Sequence, residues 1–144
     1  VDLIGLAAEE CARVDADLDV TAVPEGLEVR GVAKLLRRAL RNLLENARRY
    51  SQGDITVVLQ RHDGQAQLSV LDRGPGVPPA LRERIFEPFY RLPGASERAG
   101  GVGLGLALVR SIAQRHNGSV RCEDQPDGSG GACFVLRLPV ALTK

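Results

Sequence analysis

Leu35, Leu36, Leu40, Leu43, Leu44 and Ala47 recur at helical spacing and lay one apolar stripe along residues 32–50. On a wheel turning ~100° per residue, Arg37, Arg41 and Arg48 fall beyond one edge of that stripe. Asn42 and Asn46 fall at its other edge, only ~40° apart. The spacing predicts a helix over 32–50, preceded by Gly31 and stopped by Ser51-Gln52-Gly53-Asp54, with glycine at the C-terminal position. Elsewhere the period changes to two. Leu18–Val23 alternates up to Pro24 and predicts a strand, and Leu27–Arg30 a second short one. Ile55–Arg61 and Ala66–Leu71, joined by His62-Asp63-Gly64-Gln65, read as an antiparallel hairpin. Pro78–Ile85 predicts a short helix, and Leu106–His116 an apolar helix ended by Asn117-Gly118. Ser119–Glu123 and Cys133–Leu138 are the last expected strands. Residues 1–17 suit a short helix or a connector.

Together these give three main helices and six or seven strands. They predict an α/β two-layer sandwich, with the helices packed on one face of a mixed, mostly antiparallel sheet. Composition agrees: 144 residues suit one domain, and 44% hydrophobic residues can fill a core that, with 3% aromatics, must be mainly Leu, Val and Ala. A formal net charge of +1 gives no electrostatic case for nucleic acid or an anionic membrane. Cys11, Cys122 and Cys133 show no metal-ligand spacing and read as small buried hydrophobes. No apolar run approaches the ~18 residues of a membrane span. With no initiator Met and no signal peptide, the chain is expected to be a piece of something longer.

The chemistry is expected in four places. Asn is a mediocre helix former, so two of them aligned at a core boundary suggest a carboxamide row facing a ligand. Asp72-Arg73-Gly74-Pro75-Gly76 follows a strand; its carboxylate can accept from an exocyclic amine, and its glycines let backbone approach a flat ligand. Such an acceptor selects adenine over guanine. Phe86-Glu-Pro-Phe89-Tyr-Arg91 is an aromatic cluster in an aromatic-poor chain. Gly101-Val102-Gly103-Leu104-Gly105-Leu106 opens a helix, where free N–H groups and the dipole favour phosphate. It is neither a Walker loop nor a dinucleotide fingerprint, since no Gly-Lys-Ser/Thr follows and position 106 is Leu.

In this order the four motifs resemble the N, G1, F and G2 boxes of the catalytic ATP-binding domain of sensor histidine kinases. That domain belongs to the GHKL, or Bergerat-fold, ATPase superfamily. Asn42-Leu-Leu-Glu-Asn46-Ala-Arg-Arg49-Tyr50-Ser looks like the N box, and Phe134-Val-Leu-Arg-Leu-Pro139 like the usual closing strand. The resemblance covers about 27–139. It implies ATP and Mg²⁺ as cofactors, with Asn46 as metal ligand and Asn42 in support. Arg49 would lie near phosphate and Tyr50 beside the nucleotide. Asp72 would meet the adenine amine within a site that includes Gly74, Gly76, Val77 and Phe89. Residues 91–101 would form a lid with Arg91 and Arg98 as phosphate contacts, next to the G2 box residues Gly101, Val102, Gly103, Leu104, Gly105 and Leu106.

The resemblance also implies a domain division: 1–17 as connector from an absent upstream dimerisation and phosphoacceptor domain, and 18–144 as the ATP-binding kinase domain. The chain itself would be monomeric, its parent a homodimer anchored in the membrane with this part in the cytoplasm. A response regulator would be the downstream partner. Departures are Ala132 for a frequent Thr, Val102 for a frequent Thr or Ser, a short lid, and no His-acid phosphoacceptor box. His62 is expected in a solvated turn and His116 as a dipole or packing histidine at a helix end.

In the hydrolases of the superfamily, a Glu one turn before the Mg²⁺ Asn activates water. Here that position is Asn42, which cannot take a proton, and Glu45 lies ~100° round from Asn46. Phosphoryl donation to a histidine on another domain is therefore expected. An ATP hydrolase, an anti-sigma-type serine kinase and a non-catalytic nucleotide-sensing module are the alternatives.

Overall fold

The computed structural model describes residues 1–51, 53–90, 105–125 and 131–141, except the side chain of Tyr50. Three α-helices are present: α1 (Leu3–Val14), α2 (Ala33–Tyr50) and α3 (Gly105–Arg115). Five strands are described: β1 (Asp17–Asp19), β2 (Thr56–His62), β3 (Gln65–Leu71), β4 (Ser119–Asp124) and β5 (Ala132–Pro139). They form one sheet in the order β1-β2-β3-β5-β4. Only β1 and β2 are parallel; the other neighbours are antiparallel.

Alternation decides which face is buried. The row Leu59, Leu68, Leu136 and Val120 crosses the sheet in register, and Val57, Val70, Phe134 and Cys122 form the next row. All eight side chains are buried. The row on the other side of Leu59, made by Gln60, Gln67, Arg137 and Ser119, faces the other way, with Gln60, Gln67 and Arg137 linked side chain to side chain. The helices cover the apolar face, and the stripe on α2 fills the middle of the core: Leu36, Ala39, Leu40, Leu43, Leu44 and Ala47 are each 1% exposed or less. Asp63 and Gly64 both take positive φ (51° and 76°), the pair of left-handed residues that a two-residue hairpin requires.

Four sequence expectations change. The strand expected over Leu18–Val23 is only Asp17–Asp19. Asp19 Oδ1 accepts from both the backbone N–H and the hydroxyl of Thr21, which turns the chain out of the sheet. Leu27–Arg30 makes isolated bridges, Glu28 to Asp2 and Val29 to Val140, and no described strand. The helix expected over Pro78–Ile85 is two 3₁₀ turns, Pro79–Leu81 and Arg84–Phe86. So short a segment, opened by two prolines without N–H donors, cannot offset helix nucleation. Finally, α2 does not end on a left-handed glycine. Ser51 is already extended (φ −140°, ψ 133°), and its hydroxyl accepts from Gly53 N–H.

Within residues 1–17 a helix forms, Leu3–Val14. Leu3, Leu6, Ala7 and Cys11 of α1 are buried in the same core as α2 and the sheet. Between α1 and α2 lies a charge cluster that sequence inspection missed. Glu10, 1% exposed, receives Arg41 Nε (2.8 Å), Arg37 NH1 (2.9 Å), Arg41 NH2 (3.1 Å) and Arg13 NH1 (3.2 Å). The Arg41 hydrogen bond, aided by Arg37 and Arg13 and opposed by burial, holds the carboxyl at about 2.

Candidate functional site

The helix α2 connects two loops that carry glycine motifs. Near its middle, Asn42 Nδ2 donates to the carbonyl of Gly105, the first residue of α3 (3.3 Å). Just past its end, Ser51 Oγ accepts from Arg73 N–H (3.2 Å). Asn46 lies between these two ties, ~6 Å along the axis from Asn42 and ~7.5 Å from Ser51 at 1.5 Å per residue. Asn42 and Asn46 are both half-buried, as the wheel predicts, and Glu45 is exposed. Among the described residues no hydrogen bond engages the Asn46 carboxamide. Arg49 is exposed at the end of the helix. Arg37 and Arg41, on the opposite edge, are taken by Glu10, and Arg48 by the carbonyls of Val14 and Gly53.

Asp72 is the first residue beyond β3 and is 3% exposed. Its Oδ1 accepts from two backbone N–H groups, Gly74 (2.9 Å) and Ala132 (3.1 Å). No described residue donates to Oδ2. One carboxylate oxygen is thus fixed to backbone, which orients the other. The Asp72 N–H donates to Ala132 O (3.1 Å), and its carbonyl accepts from Gln125 Nε2. Ala132, which stands where relatives often have Thr, contacts Asp72 through its main chain. Gly131 approaches so closely that a Cβ there would lie 2.0 Å from Asp72 O. Gly74 is half-buried, Gly76 needs its positive φ of 75°, and Val77 is buried. Arg82 then ties the end of this loop to β4: its Nε donates to Val77 O (3.1 Å) and its NH2 to Asp124.

The two phenylalanines of the aromatic cluster differ. Phe86 is buried, meets Phe134 edge-on at 6.2 Å and lies beneath the Arg110 guanidinium at 5.6 Å. Phe89 is 69% exposed with a left-handed φ of 67°. No described contact brings it to Asp72. Gly105 opens α3, and Leu106 packs against the core. Arg91, Arg98, Gly101, Val102, Gly103 and Leu104 lie outside the described residues, as does the Tyr50 side chain.

Asn46 fits a hard divalent cation. It is a neutral oxygen donor, half-buried and unengaged by described groups, one turn along α2 from Asn42, which meets the first residue of α3. No group of three or more His, Cys, Asp or Glu capable of holding a metal occurs among the described residues. Burial pushes the Cys122 thiol up to about 12, and those of Cys11 and Cys133 to about 11, so none is a ready nucleophile. His62 is exposed in the hairpin beside Asp63. His116 is buried: its Nδ1 faces Ile112 O (2.8 Å), and its Nε2 accepts from Val32 N–H (3.1 Å). Both histidines thus occupy the structural positions expected of them.

A family model described as histidine kinase-, DNA gyrase B- and HSP90-like ATPase matches residues 31–142. The chain belongs to this family. It is 37% identical to the sensor-like histidine kinase SenX3 of Mycolicibacterium smegmatis, across 96% of the chain and 38% of that protein. It is 39% identical to the sensor histidine kinase CpxA of Escherichia coli, across 96% of the chain and 30% of that protein. The chain therefore spans about a third of the length of these curated relatives. Among solved structures, the mycobacterial sensor histidine kinase MprB superposes with a TM-score of 0.82 at 32% identity, covering 99% of this chain and 97% of that one. The ATP-binding domain of PrrB from Mycobacterium tuberculosis superposes at 0.75 with 31% identity, covering 99% and 96%. Full-length ShkA, solved in complex with AMPPNP, superposes at 0.77 with 26% identity, covering 99% of this chain and 31% of that one. The two-layer fold is that of histidine kinase catalytic domains. No described helix is long and apolar enough to cross a membrane.

Proposed function

We propose that this chain binds Mg·ATP and donates the γ-phosphoryl group to a histidine on a separate dimerisation domain of a longer sensor kinase. The observation that carries the donor role is on α2. One turn before Asn46 stands Asn42, an amide already hydrogen-bonded to Gly105 O, and the neighbouring Glu45 is exposed. That face holds no base to activate water, which favours an ATP-holding domain over a hydrolase. Asp72 reads the adenine amine through Oδ2 while its Oδ1 stays on Gly74 and Ala132. The N-terminus of α3 and Arg49 attract the phosphates. When bound, Mg²⁺ supplies charge neutralisation for the transferring phosphoryl group, and Asn46 is the residue that would hold it. The contribution of the chain is positioning, with the acceptor histidine and its base supplied from outside. The relatives' names, sensor histidine kinases, support the kinase reading; with it we propose a membrane-anchored homodimeric parent that has this domain in the cytoplasm and a response regulator as phosphate recipient.

Asp72→Asn tests the nucleotide site. The amide oxygen can keep both backbone donors, so the fold is retained and an NH₂ replaces Oδ2. Losing a charge-assisted hydrogen bond and opposing two donors costs ~1–3 kcal/mol, roughly five- to 150-fold in Kd for ATP. Calorimetric titration checks this, and an unchanged affinity rejects the role of Asp72.

A further inference from the structure

We propose that Gln125 is a positioning residue for adenine recognition, acting through the peptide that joins Asp72 to Arg73. This inference rests on the assignment of Asp72 to the adenine amine. The peptide is held from both sides. Its carbonyl, Asp72 O, accepts from Gln125 Nε2, and its N–H, on Arg73, donates to Ser51 Oγ (3.2 Å). Gln125 is 8% exposed and its bond to the Asp72 carbonyl is buried, so that carbonyl has no ready access to replacement water.

The Gln125 side chain is itself aimed by its backbone. Gln125 N–H donates to Gly131 O (3.1 Å), extending the β4–β5 pairing past Asp124. The missing side chain of Gly131 leaves the space: a Cβ there would lie 2.0 Å from Asp72 O and 3.1 Å from Gln125 Nε2. The next residue of β5, Ala132, then holds Asp72 Oδ1 (3.1 Å). The preceding residue, Asp124, takes Arg82, whose Nε holds Val77 O. The last residue of β4, Asp124, and the one just past it, Gln125, therefore hold the glycine loop at its two ends, Val77 and Asp72.

The consequence is geometric. Without a donor from Gln125, the buried Asp72 carbonyl loses its partner and the 72–73 peptide rotates in search of another. That rotation draws Arg73 N–H off Ser51 and shifts Gly74 N–H, one of the two groups fixing Oδ1. Oδ2 then loses its aim, and discrimination at the purine 6-position falls while the phosphate end of the site is untouched.

The test compares Kd values for Mg·ATP and for Mg·purine riboside triphosphate, which lacks the 6-amino group. The proteins are the wild-type chain, Gln125→Ala, Gln125→Glu and Asp72→Asn. Gln125→Glu keeps the size of the side chain and cannot donate when ionised. Both Gln125 variants are expected to lose roughly five- to tenfold in ATP affinity, the worth of one net hydrogen bond, with less than a twofold change for the deaminated analogue. ATP affinity at the wild-type level overturns the proposal. So does an equal loss for both nucleotides, the result a general structural role would give. If Asp72→Asn leaves the ratio of the two affinities unchanged, the assignment of Asp72 fails instead, and the inference falls with it. Circular dichroism of each variant identifies any that misfolds, and the near-isosteric Gln125→Glu then decides alone.

Discussion

Replacing Glu10 by Gln removes the charge at the centre of the α1–α2 contact while keeping the shape of the side chain. The wild-type carboxylate receives four hydrogen bonds from three guanidinium groups and is 1% exposed. Its pKa falls from 4.5 to about 2 in the folded chain, with Arg41 the largest cause. At ~1.4 kcal/mol per unit that shift corresponds to an upper figure of about 3 kcal/mol. The arginine side chains are 36%, 37% and 50% exposed, so water competes for them and about 2 kcal/mol is the expected loss. The sign follows from the depressed folded pKa. The stabilisation is fully present above the unfolded value near 4.5 and disappears as the pH falls towards 2. Urea unfolding of both proteins between pH 7 and pH 2.5 measures it. The difference should be about 2 kcal/mol at neutral pH and shrink steadily below pH 5. A difference under ~0.5 kcal/mol at pH 7, or one that does not change with pH, refutes the clamp.

Phe86→Ala should cost ~3–5 kcal/mol in unfolding free energy, because it empties a buried ring site against Phe134 and removes the face over which Arg110 lies. A loss below ~1 kcal/mol would contradict that packing. The three cysteines, raised to about 11, 12 and 11 by burial, should react with a thiol reagent at pH 8 far more slowly in the native chain than after unfolding in guanidinium. Fast labelling of the native protein would refute their burial.

What the sequence made legible has a common physical origin: it is local. The apolar stripe of α2 predicted a helix over 32–50, observed as Ala33–Tyr50, and its wheel placed Asn42 and Asn46 at the core boundary, where they are half-buried, and Arg37, Arg41 and Arg48 on the far edge. Asp63-Gly64 declared its hairpin through turn chemistry. The features that were missed depend on chain segments meeting from a distance. Glu10 sits 31 residues from Arg41, and Gln125 sits 53 from Asp72. No periodicity marks either. The same distance explains Ala132, whose backbone N–H reaches Asp72 from 60 residues away and carries no side-chain signal. The strand expected over Leu18–Val23 failed for a local reason, since an Asp two residues before a Thr makes a turn strong enough to outweigh alternation.

Transfer itself provides the most direct test of the central claim. The chain is incubated with Mg·ATP labelled in the γ-phosphate, alone and with a dimeric phosphoacceptor domain carrying a histidine, and both protein-bound label and free phosphate are followed. The account predicts no labelling of the chain alone, slow phosphate release, and acid-labile phosphohistidine on the added domain. Phosphoserine on the partner, or rapid phosphate release by the chain alone, would contradict it.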